Sequence, residues 1–392
     1  MHSKDIFLLK FMFLALCGGL GAGMSQIVIT LYAVSLGASS SEIGLIQGLP
    51  NIGVFLTVLP MGFLVDHYGA KRIFIWGGLI GAFIYLFMTL AATPSILLLV
   101  ASVFGLFMSF RFVSMNSVFL DYLETNGTDR AGWYRASHSV GLSLLGPMLG
   151  GYLVNVIGYR WSFVAVSVLF VVAVIAAKYV LTGSSKKDAG ITVFSFNGTF
   201  GHVKTLLKNK DLVEASLIES TAVMAYSCFT AFIVVIALRV FNLPPETSAL
   251  FISINGAFFT LALFSLGALY KRIGPRNLYL LAITSIVTGL LLVGIATDPI
   301  MLFPGSVFLG TGLGTMNLIN VTRTSSINGK KGKVAGVFSF FTVAGMIIGP
   351  IAGGFIGSVV GLQMVFLLLV PVFFVLGIRI YSRPEKTDRS GI

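Results

Sequence analysis

The chain has 392 residues, of which 56% are hydrophobic and only 10% are charged, and its formal net charge is +12. Its mean hydropathy is +0.96, and a water-soluble domain of that composition would expose large apolar patches. These values exclude a soluble globular protein. They predict an integral membrane protein.

Apolar segments long enough to span a bilayer recur from one end of the chain to the other, and each span needs about 20 residues. Twelve such segments are predicted, all α-helical. Their approximate bounds are 7–32, 43–65, 72–92, 95–121, 135–157, 161–181, 212–239, 248–269, 277–296, 300–323, 335–358 and 362–381. The first segment has no convincing small-residue cleavage site, so we expect a retained span and not a signal peptide.

The basic residues are distributed unevenly about these spans. If the N-terminus is cytoplasmic, only Arg160 and Arg239 of the 26 lysines and arginines lie outside and Arg111 lies within a span, which leaves 23 inside. Such an excess in cytoplasmic loops is the usual pattern of membrane proteins. The positive charge therefore predicts orientation and not a nucleic-acid partner. We expect both termini in the cytoplasm and the chain in a bacterial inner (plasma) membrane.

A polar stretch divides the chain into two parts of similar size. Residues 1–181 carry six predicted spans, residues 182–210 form a polar linker, and residues 211–392 carry six more spans and a short tail. We therefore expect two six-helix halves joined by a cytoplasmic linker.

Polar residues share one face of the first span. Gly19, Gly23, Gln26 and Thr30 follow the spacing i, i+4, i+7 and i+11, which places them on the same side of a helix. In the second span Asn51 is a further amide, and amides within a bilayer usually face protein or water. Gln26 and Asn51 are thus candidates for a cavity wall, although the glycines alone would also serve close helix packing.

A charged turn follows the second span, with the sequence LPMGFLVDHYGAKR from Leu59 to Arg72. Gly62 and Gly69 are interpreted as points where backbones approach closely, and Asp66 places an anion at the membrane surface. Three residues of the turn recur 205 residues later, where Gly267, Gly274 and Arg276 repeat Gly62, Gly69 and Lys71. The recurrence predicts an internal repeat of half the chain.

The turn resembles the signature loop of the major facilitator superfamily: Gly, three residues, Asp, two residues, Gly, one residue and a base. The resemblance implies an all-α membrane fold of twelve helices in two pseudo-symmetric halves. It also implies that the loop acid helps to close the halves on the cytoplasmic side. Asp66 can form such a latch, whereas the equivalent Lys271 cannot, which predicts an asymmetric gate. The predicted gating loop consists of Gly62, Asp66, Gly69, Lys71 and Arg72.

Two ionisable residues that lie deep in predicted spans are candidates for function. Arg111 is midway along the fourth, where an arginine costs roughly 2.5 to 3.5 kcal/mol and should pair or line a wet cavity. Its alternative role is structural, as a bridge between helices. Glu219 lies about two turns into the seventh span, where a carboxylate suggests a proton relay. Its alternative is an interfacial glutamate that extends to the surface beside Glu214 and Asp211.

Residues 146–151 read GPMLGG and residues 349–354 read GPIAGG. Proline bends its helix, and glycines four residues apart let a neighbouring helix pack closely. The element predicts kinked, closely packed helices in equivalent positions of the two halves. Its helix-packing residues are Gly146, Pro147, Gly150, Gly151, Gly349, Pro350, Gly353 and Gly354.

A longer form of this element in the fifth span is characteristic of the drug-exporting antiporters of the superfamily. Here the fully spaced form is in the eleventh span, and Gly141 in the fifth is one residue out of register. That group often carries an arginine in the fourth span, and some members a carboxylate in the seventh. The Gln and Gly that usually follow the arginine are absent, because Ser114, Met115 and Asn116 stand there. Alternatively, the element serves helix packing for either direction of transport.

Further polar residues in the later spans complete a predicted central cavity. Its members are Gln26, Asn51, Arg111, Tyr226, Thr315, Asn317 and Asn320. The sequence has no nucleotide-binding phosphate loop and no nucleophile with a base at plausible spacing, so we expect no enzyme and no cofactor. Cys17 and Cys228 are isolated, and no metal site is predicted.

The sequence thus predicts a secondary transporter that works by alternating access. The expected activity is proton-coupled efflux of an amphipathic small molecule, either a drug-like compound or a metabolite such as a siderophore, with Glu219 and Arg111 as coupling residues. The expected partners are that substrate, protons and the lipid bilayer, and the protein is expected to be a monomer. The alternatives are a proton-coupled uptake symporter for a small polar nutrient and a membrane receptor or scaffold with the same fold.

Overall fold

The structure is a computed structural model that describes residues 3–126, 131–181, 209–265, 267–325, 327 and 331–382. All regular secondary structure in these ranges is helical. The α-helices are α1 Ser3–Ser35, α2 Ser40–Tyr68, α3 Ala70–Met88, α4 Pro94–Asn126, α5 Ala131–Ser139, α6 Gly146–Val180, α7 Lys210–Arg239, α8 Pro245–Ser265, α9 Gly267–Gly294, α10 Leu302–Ser325, α11 Lys331–Val360 and α12 Leu362–Tyr381. A π-helical turn, Val140–Leu145, joins α5 to α6, and a short 3₁₀ helix, Pro299–Met301, precedes α10.

Within the described ranges, eleven segments are long and apolar enough to cross a membrane, so the chain is a multi-pass membrane protein. One of them, Ala136–Val180, has 45 residues. A continuous helix of that length would extend about 68 Å, more than twice the thickness of the hydrocarbon core. Gly158 interrupts this segment with a non-helical conformation, φ 77° and ψ 172°.

The chain turns at equivalent places in its two parts. Six described residues have positive φ and form three pairs: Gly37 with Asn242 and Gly69 with Gly274, each 205 residues apart, and Gly158 with Gly361, 203 residues apart. Each lies between two helices or at a break within one. Glycine adopts positive φ without strain, and asparagine tolerates it better than most residues.

The contacts between helices also occur in corresponding sets. Within the first part, α1 packs against α5 and α6, α2 against α4, and α3 against α4 and α6. Within the second, α7 packs against α11, α8 against α10, and α9 against α10 and α12. The two sets meet where α2 packs against α11, α6 against α8, and α1 against α7.

The π-helical turn accommodates one extra residue in the fifth span. The amide of Gly146 donates to the carbonyl of Gly141, five residues earlier, and not four as in an α-helix. In α11 the corresponding Gly345 and Gly349 are four residues apart in continuous helix. The extra residue explains why Gly141 is out of register in the sequence.

Lys71 and Arg276 stabilise the ends of two corresponding helices. Lys71 Nζ donates to the carbonyl of Lys178 at 2.9 Å, close to the end of α6. Arg276 Nη2 donates to the carbonyl of Tyr381 at 2.5 Å, the last residue of α12. Because the C-terminal carbonyls of a helix lack internal partners and carry partial negative charge, a cation there is stabilising.

The two glycines of the charged turn do not have the predicted role. A Cβ at Gly62 or Gly69 would meet no atom of the described residues within 4 Å, so neither marks a close backbone approach among them. Gly69 is instead required by its φ of 87°, which ends α2 and begins α3.

Some predicted features fall outside the described residues. These are most of the linker, residues 182–208, the tail, residues 383–392, and the side chain of Lys271. The helix that follows the linker begins at Lys210, which the sequence had assigned to the linker.

Candidate functional site

Glu219 is buried between α7 and α10, with 1% of its surface exposed. Its Oε1 accepts a hydrogen bond from Asn317 Nδ2 at 2.5 Å, and its Oε2 accepts one from Asn320 Nδ2 at 2.8 Å. Two amide donors, one for each oxygen, suit an ionised carboxylate, which can only accept. The side chain therefore points into the protein and does not extend to the surface.

A chain of hydrogen bonds continues from Glu219 through Asn320. Asn320 Oδ1 accepts from the hydroxyl of Tyr279 at 2.5 Å, and that hydroxyl accepts from Arg323 Nη1 at 3.1 Å. Arg323 Nη2 in turn donates to Glu214 Oε2 at 3.3 Å. We call these five residues the Glu219 network.

The Glu219 network connects the interior with the surface at which α7 begins. Asn320 is fully buried and Tyr279 is 3% exposed, whereas the side chain of Arg323 is 22% exposed. Arg323 also lies 3.9 Å from Asp211, which is largely exposed in the first turn of α7. Arg323 is thus the most exposed member of the network, and Glu214 beyond it is again buried, with 7% exposed.

Arg111 occupies an aromatic environment in the other part of the chain. Its guanidinium carbon lies 4.0 Å from the ring centre of Phe170 on α6 and 5.4 Å from that of Phe74 on α3. Its Nε is buried and has no hydrogen-bond partner among the described residues. A cation over an aromatic face is attracted by the electrons of the ring. The side chain is directed toward α3 and α6, and it forms no hydrogen bond or ion pair with Glu219.

The other predicted cavity residues are distributed over several helices. Gln26 and Asn51 are half-buried, and Asn51 Nδ2 donates to the carbonyl of Gln47 at 3.0 Å. Gln47 Nε2 donates to the hydroxyl of Thr30 at 2.6 Å, which links α2 to α1. Thr315 is buried and donates to the carbonyl of Thr311 in its own helix. The structure therefore brings Asn317 and Asn320 to Glu219, whereas the hydrogen bond of Thr315 stays within α10.

Tyr226 lies where the two helix sets meet. Its hydroxyl is 3.5 Å from Ser143 Oγ, which belongs to the π-helical turn. Its ring packs against Phe259 on α8, with ring centres 6.0 Å apart. A Cβ at Gly256 would also clash with Ser143, so α8 passes very close to the turn.

Each Gly-Gly pair packs against two helices. Gly150 faces Ile27 and Met24 on α1, and Gly353 faces Phe232 and Cys228 on α7. The next glycine of each pair contacts the other helix set. A Cβ at Gly151 would lie 2.5 Å from that of Ala249 on α8, and one at Gly354 would lie 2.6 Å from the carbonyl oxygen of Ser40 on α2.

Helices α2 and α11 converge on one side of the membrane and separate toward the other. Near the start of α2, Gly44 and Gly48 are in tight contact with α11. Further along, the rings of Phe55 and Phe340 are 5.6 Å apart. Beyond them, a Cβ at Gly62 or Gly336 would meet no described atom within 4 Å, and Asp66 is exposed. Among the described residues, α2 and α11 are therefore in tight contact toward the turn between α1 and α2, which we call the closed side, and lack such contact toward the side where α1 begins, which we call the open side.

A membrane bundle with two corresponding helix sets, joined on one side and separated on the other, is the architecture of a transporter. The chain matches the Major Facilitator Superfamily over residues 11–342 and 215–391, and it belongs to that family. This confirms the resemblance seen in the charged turn. Because this is a family of transporters, the chain is a transporter and not an enzyme.

Several relatives match most of the chain. An uncharacterized MFS-type transporter of Methanocaldococcus jannaschii is 24% identical over 94% of this chain and 95% of its own. Multidrug resistance protein 2 of Bacillus subtilis is 23% identical over 95% of this chain and 94% of its own. Multidrug resistance protein MdtG of Escherichia coli is 27% identical over 79% of this chain and 76% of its own.

Solved structures share the fold at low sequence identity. The nucleoside transporter NupG superposes with a TM-score of 0.79 at 16% identity, over 96% of this chain and all of that one. A bacterial homologue of the human lysosomal transporter Spinster, in an inward-facing and unoccupied conformation, also has a TM-score of 0.79 at 16% identity and covers 96% of both chains.

Sequence reasoning missed three members of the Glu219 network. Glu214 had been considered only as a surface neighbour, and Tyr279 and Arg323 had not been considered at all. Arg323 gave a weak signal, because it is a basic residue in the last turn of a polar helix. Nothing local to Tyr279 indicated its partner, which lies 41 residues away in the sequence.

Proposed function

We propose that this protein is a proton-coupled exporter of an amphipathic small molecule, either a drug-like compound or a metabolite such as a siderophore. The observation that supports this most directly is Glu219, a carboxylate buried deep in a membrane bundle and held by two amides. Intramembrane carboxylates in transporters commonly exchange protons.

We further infer that the chain crosses the membrane twelve times, in two halves of residues 1–181 and 211–392. The break at Gly158 supports this, since it divides the 45-residue segment into two lengths that each suit one crossing. The three pairs of positive-φ residues support the repeat. From the distribution of basic residues, we infer that both termini lie in the cytoplasm. We further propose that the protein is a monomer in a bacterial inner membrane.

Transport would proceed by alternating access, with the halves rocking about the region of Glu219 and Tyr226. In the open state seen here, the substrate would enter from the side where α1 begins and Glu219 would release its proton. Closure on that side, assisted by Asp66, and opening at the turn between α1 and α2 would release the substrate and return a proton to Glu219. The substrate and the proton require opposite protonation states of Glu219. Binding of one therefore excludes the other, and the two are exchanged across the membrane.

Arg111 is the second coupling residue of this proposal. It would hold an anionic group of the substrate or tune Glu219 from the other half. Because its guanidinium packs on Phe170 and Phe74, the tuning would act through its electric field or through movement of α4, and not through direct pairing.

Export is favoured by two relatives that are named multidrug resistance proteins. The second candidate is proton-coupled uptake of a small polar nutrient, which the likeness to a nucleoside transporter favours. Both candidates share the same fold and the same carboxylate, and both move protons into the cytoplasm, so the direction in which the substrate moves relative to the proton distinguishes them.

The test is proton release from energised everted vesicles, followed with a pH-sensitive dye as cationic drugs, carboxylates and siderophores are added. We expect compound-dependent release with the wild type and none with Glu219→Gln. Glu42→Gln is the matched control, because Glu42 belongs to an exposed capping box that a glutamine can preserve. Release that persists in Glu219→Gln would exclude Glu219 as the coupling residue. Silence across the panel would favour nutrient uptake.

A further inference from the structure

We propose that Tyr279 is a positioning residue that fixes the orientation of the Asn320 amide and so keeps a hydrogen-bond donor aimed at Glu219. This inference rests on the proposed function, because the orientation of Asn320 matters for transport only if Glu219 exchanges a proton.

The direction of each hydrogen bond in the Glu219 network follows from Arg323. A guanidinium has donors only, so Arg323 Nη1 must donate to the hydroxyl oxygen of Tyr279. The hydroxyl proton of Tyr279 then points away from Arg323 and toward Asn320 Oδ1, 2.5 Å away. Asn320 must consequently present its oxygen to Tyr279 and its NH₂ group to Glu219.

Asn317, the other amide at Glu219, is not held in the same way. Its Nδ2 donates to Glu219 Oε1, but no described residue forms a hydrogen bond that fixes its oxygen. A rotation of its amide plane would turn that oxygen toward Glu219 as an acceptor. The two carboxylate oxygens are therefore unequal: Oε1 can carry a proton after Asn317 turns, whereas Oε2 faces a fixed donor. We assign the exchangeable proton to Oε1.

The charged groups near Glu219 on neighbouring helices are linked to it indirectly. On α10, Arg323 is linked to Glu219 through Tyr279 of α9 and then Asn320. On α7 itself, Glu214 pairs with Arg323, and Arg379 of α12 lies 3.8 Å from Glu214. In the described parts of α1, α2, α8 and α11, no ionised side chain forms an ion pair or hydrogen bond with Glu219.

Removal of the Tyr279 hydroxyl should free Asn320 without removing its amide. In Tyr279→Phe, Asn320 can turn its oxygen toward Glu219 and accept a hydrogen bond from the protonated acid. Protonation then becomes easier, so Glu219 is half-protonated at a higher pH than in the wild type. Because one hydrogen bond changes its direction, we expect a shift of about one pH unit.

The experiment is an infrared pH titration of the full-length purified protein in lipid nanodiscs, which requires no substrate. The signal is the C=O band of the protonated acid that disappears in Glu219→Gln. Tyr279→Phe, Asn320→Ala and the double variant are compared with the wild type. Tyr32→Phe is the matched control, since it also removes a buried hydroxyl, bonded to the carbonyl of Ala91, but far from Glu219.

We expect Tyr279→Phe and Asn320→Ala each to raise the midpoint, Tyr32→Phe to leave it unchanged, and Tyr279→Phe to add nothing once Asn320 is alanine. The last result identifies action through Asn320, as a double-mutant cycle should. Two results would overturn the positioning role alone. In the first, the Glu219 band titrates in the wild type but its midpoint does not shift in Tyr279→Phe. In the second, Tyr279→Phe shifts the midpoint equally whether residue 320 is asparagine or alanine. A Glu219 band that shows no titration would overturn the proposed proton exchange as well.

Discussion

Arg239, the last residue of α7, donates a hydrogen bond from Nη2 to the carbonyl oxygen of Ala38, 2.6 Å away in the turn between α1 and α2. This contact joins the two helix sets on their closed side. A hydrogen bond from a charged group is worth about 1.5 to 3 kcal/mol. Arg239→Gln should therefore increase the fraction of molecules that are open on that side by a factor of roughly ten or more. The measurement is thiol labelling of a cysteine introduced at Ser40 in a background without Cys17 and Cys228.

Arg160→Gln provides the control for this experiment. Arg160 is exposed at the break between the two parts of α6 and carries the same charge, but it forms no hydrogen bond to the described residues of the other helix set. Its loss should leave labelling at Ser40 unchanged. Equal labelling of Arg239→Gln and the wild type would show that the contact does not hold this side closed.

Gly354 should be far less tolerant of alanine than Gly336 in the same helix. A Cβ at Gly354 would lie 2.6 Å from a backbone oxygen of α2, which cannot move without separating α2 from α11. Overpacking of this kind typically costs about 1 to 3 kcal/mol. We expect Gly354→Ala to weaken the closed side, measured as increased labelling at Ser40, and to slow transport.

Gly336→Ala is the comparison because a Cβ there would meet nothing within 4 Å. In a helix interior this change is neutral or stabilising by a few tenths to about 1 kcal/mol. If Gly336→Ala slows transport as much as Gly354→Ala does, close contact in this structure is not the reason for either glycine.

Lys71→Met should lower thermal stability because it removes the cation from the end of α6. The expected loss is about 0.3 to 1 kcal/mol, which corresponds to a lower midpoint of thermal unfolding in detergent. Arg276→Met should have a similar effect at the end of α12. Arg72→Met, next to Lys71 but exposed and without a described hydrogen bond, should leave the midpoint unchanged. A greater loss in Arg72→Met than in Lys71→Met would contradict the capping role.

Asp66→Asn should slow transport without lowering the stability of the state seen here. Asp66 is exposed on the open side, so its proposed latch can form only after that side closes. Asp66→Glu keeps the charge and should retain more activity than Asp66→Asn. The measurements are transport at matched expression and thermal unfolding. Unchanged transport in Asp66→Asn would refute the gating assignment.

Membrane spans were predictable because their signal is local. The second span, predicted at residues 43–65, corresponds to Ser40–Tyr68, and the eleventh, predicted at 335–358, corresponds to Lys331–Val360. Apolar length alone fixes such positions, and a recurrent turn of Gly and a base was enough to identify the family. The helix ends differ by a few residues because capping and the first turns are polar.

The contacts of the candidate site were not predictable in the same way. Asn317 and Asn320 were expected in a cavity, but their bonds to Glu219 join residues 98 and 101 positions apart and depend on how α7 packs against α10. Likewise, the depth of Arg111 follows from its place in the fourth span, whereas its direction depends on which helices surround α4. Side-chain direction is a property of tertiary packing, which one helical pattern does not contain.

The π-helical turn before Gly146 has a consequence for how the two parts of the chain are compared. An added residue in an α-helix normally rotates everything after it by about 100°. Here the turn absorbs that residue, so Gly150 and Gly151 still face the counterparts of the helices that Gly353 and Gly354 face. The two Gly-Gly pairs thus have corresponding neighbours although they lie 203 positions apart and not 205, as the glycines of the charged turn do. An alignment of this chain with itself at the single offset of 205 would therefore miss the correspondence of the Gly-Gly pairs.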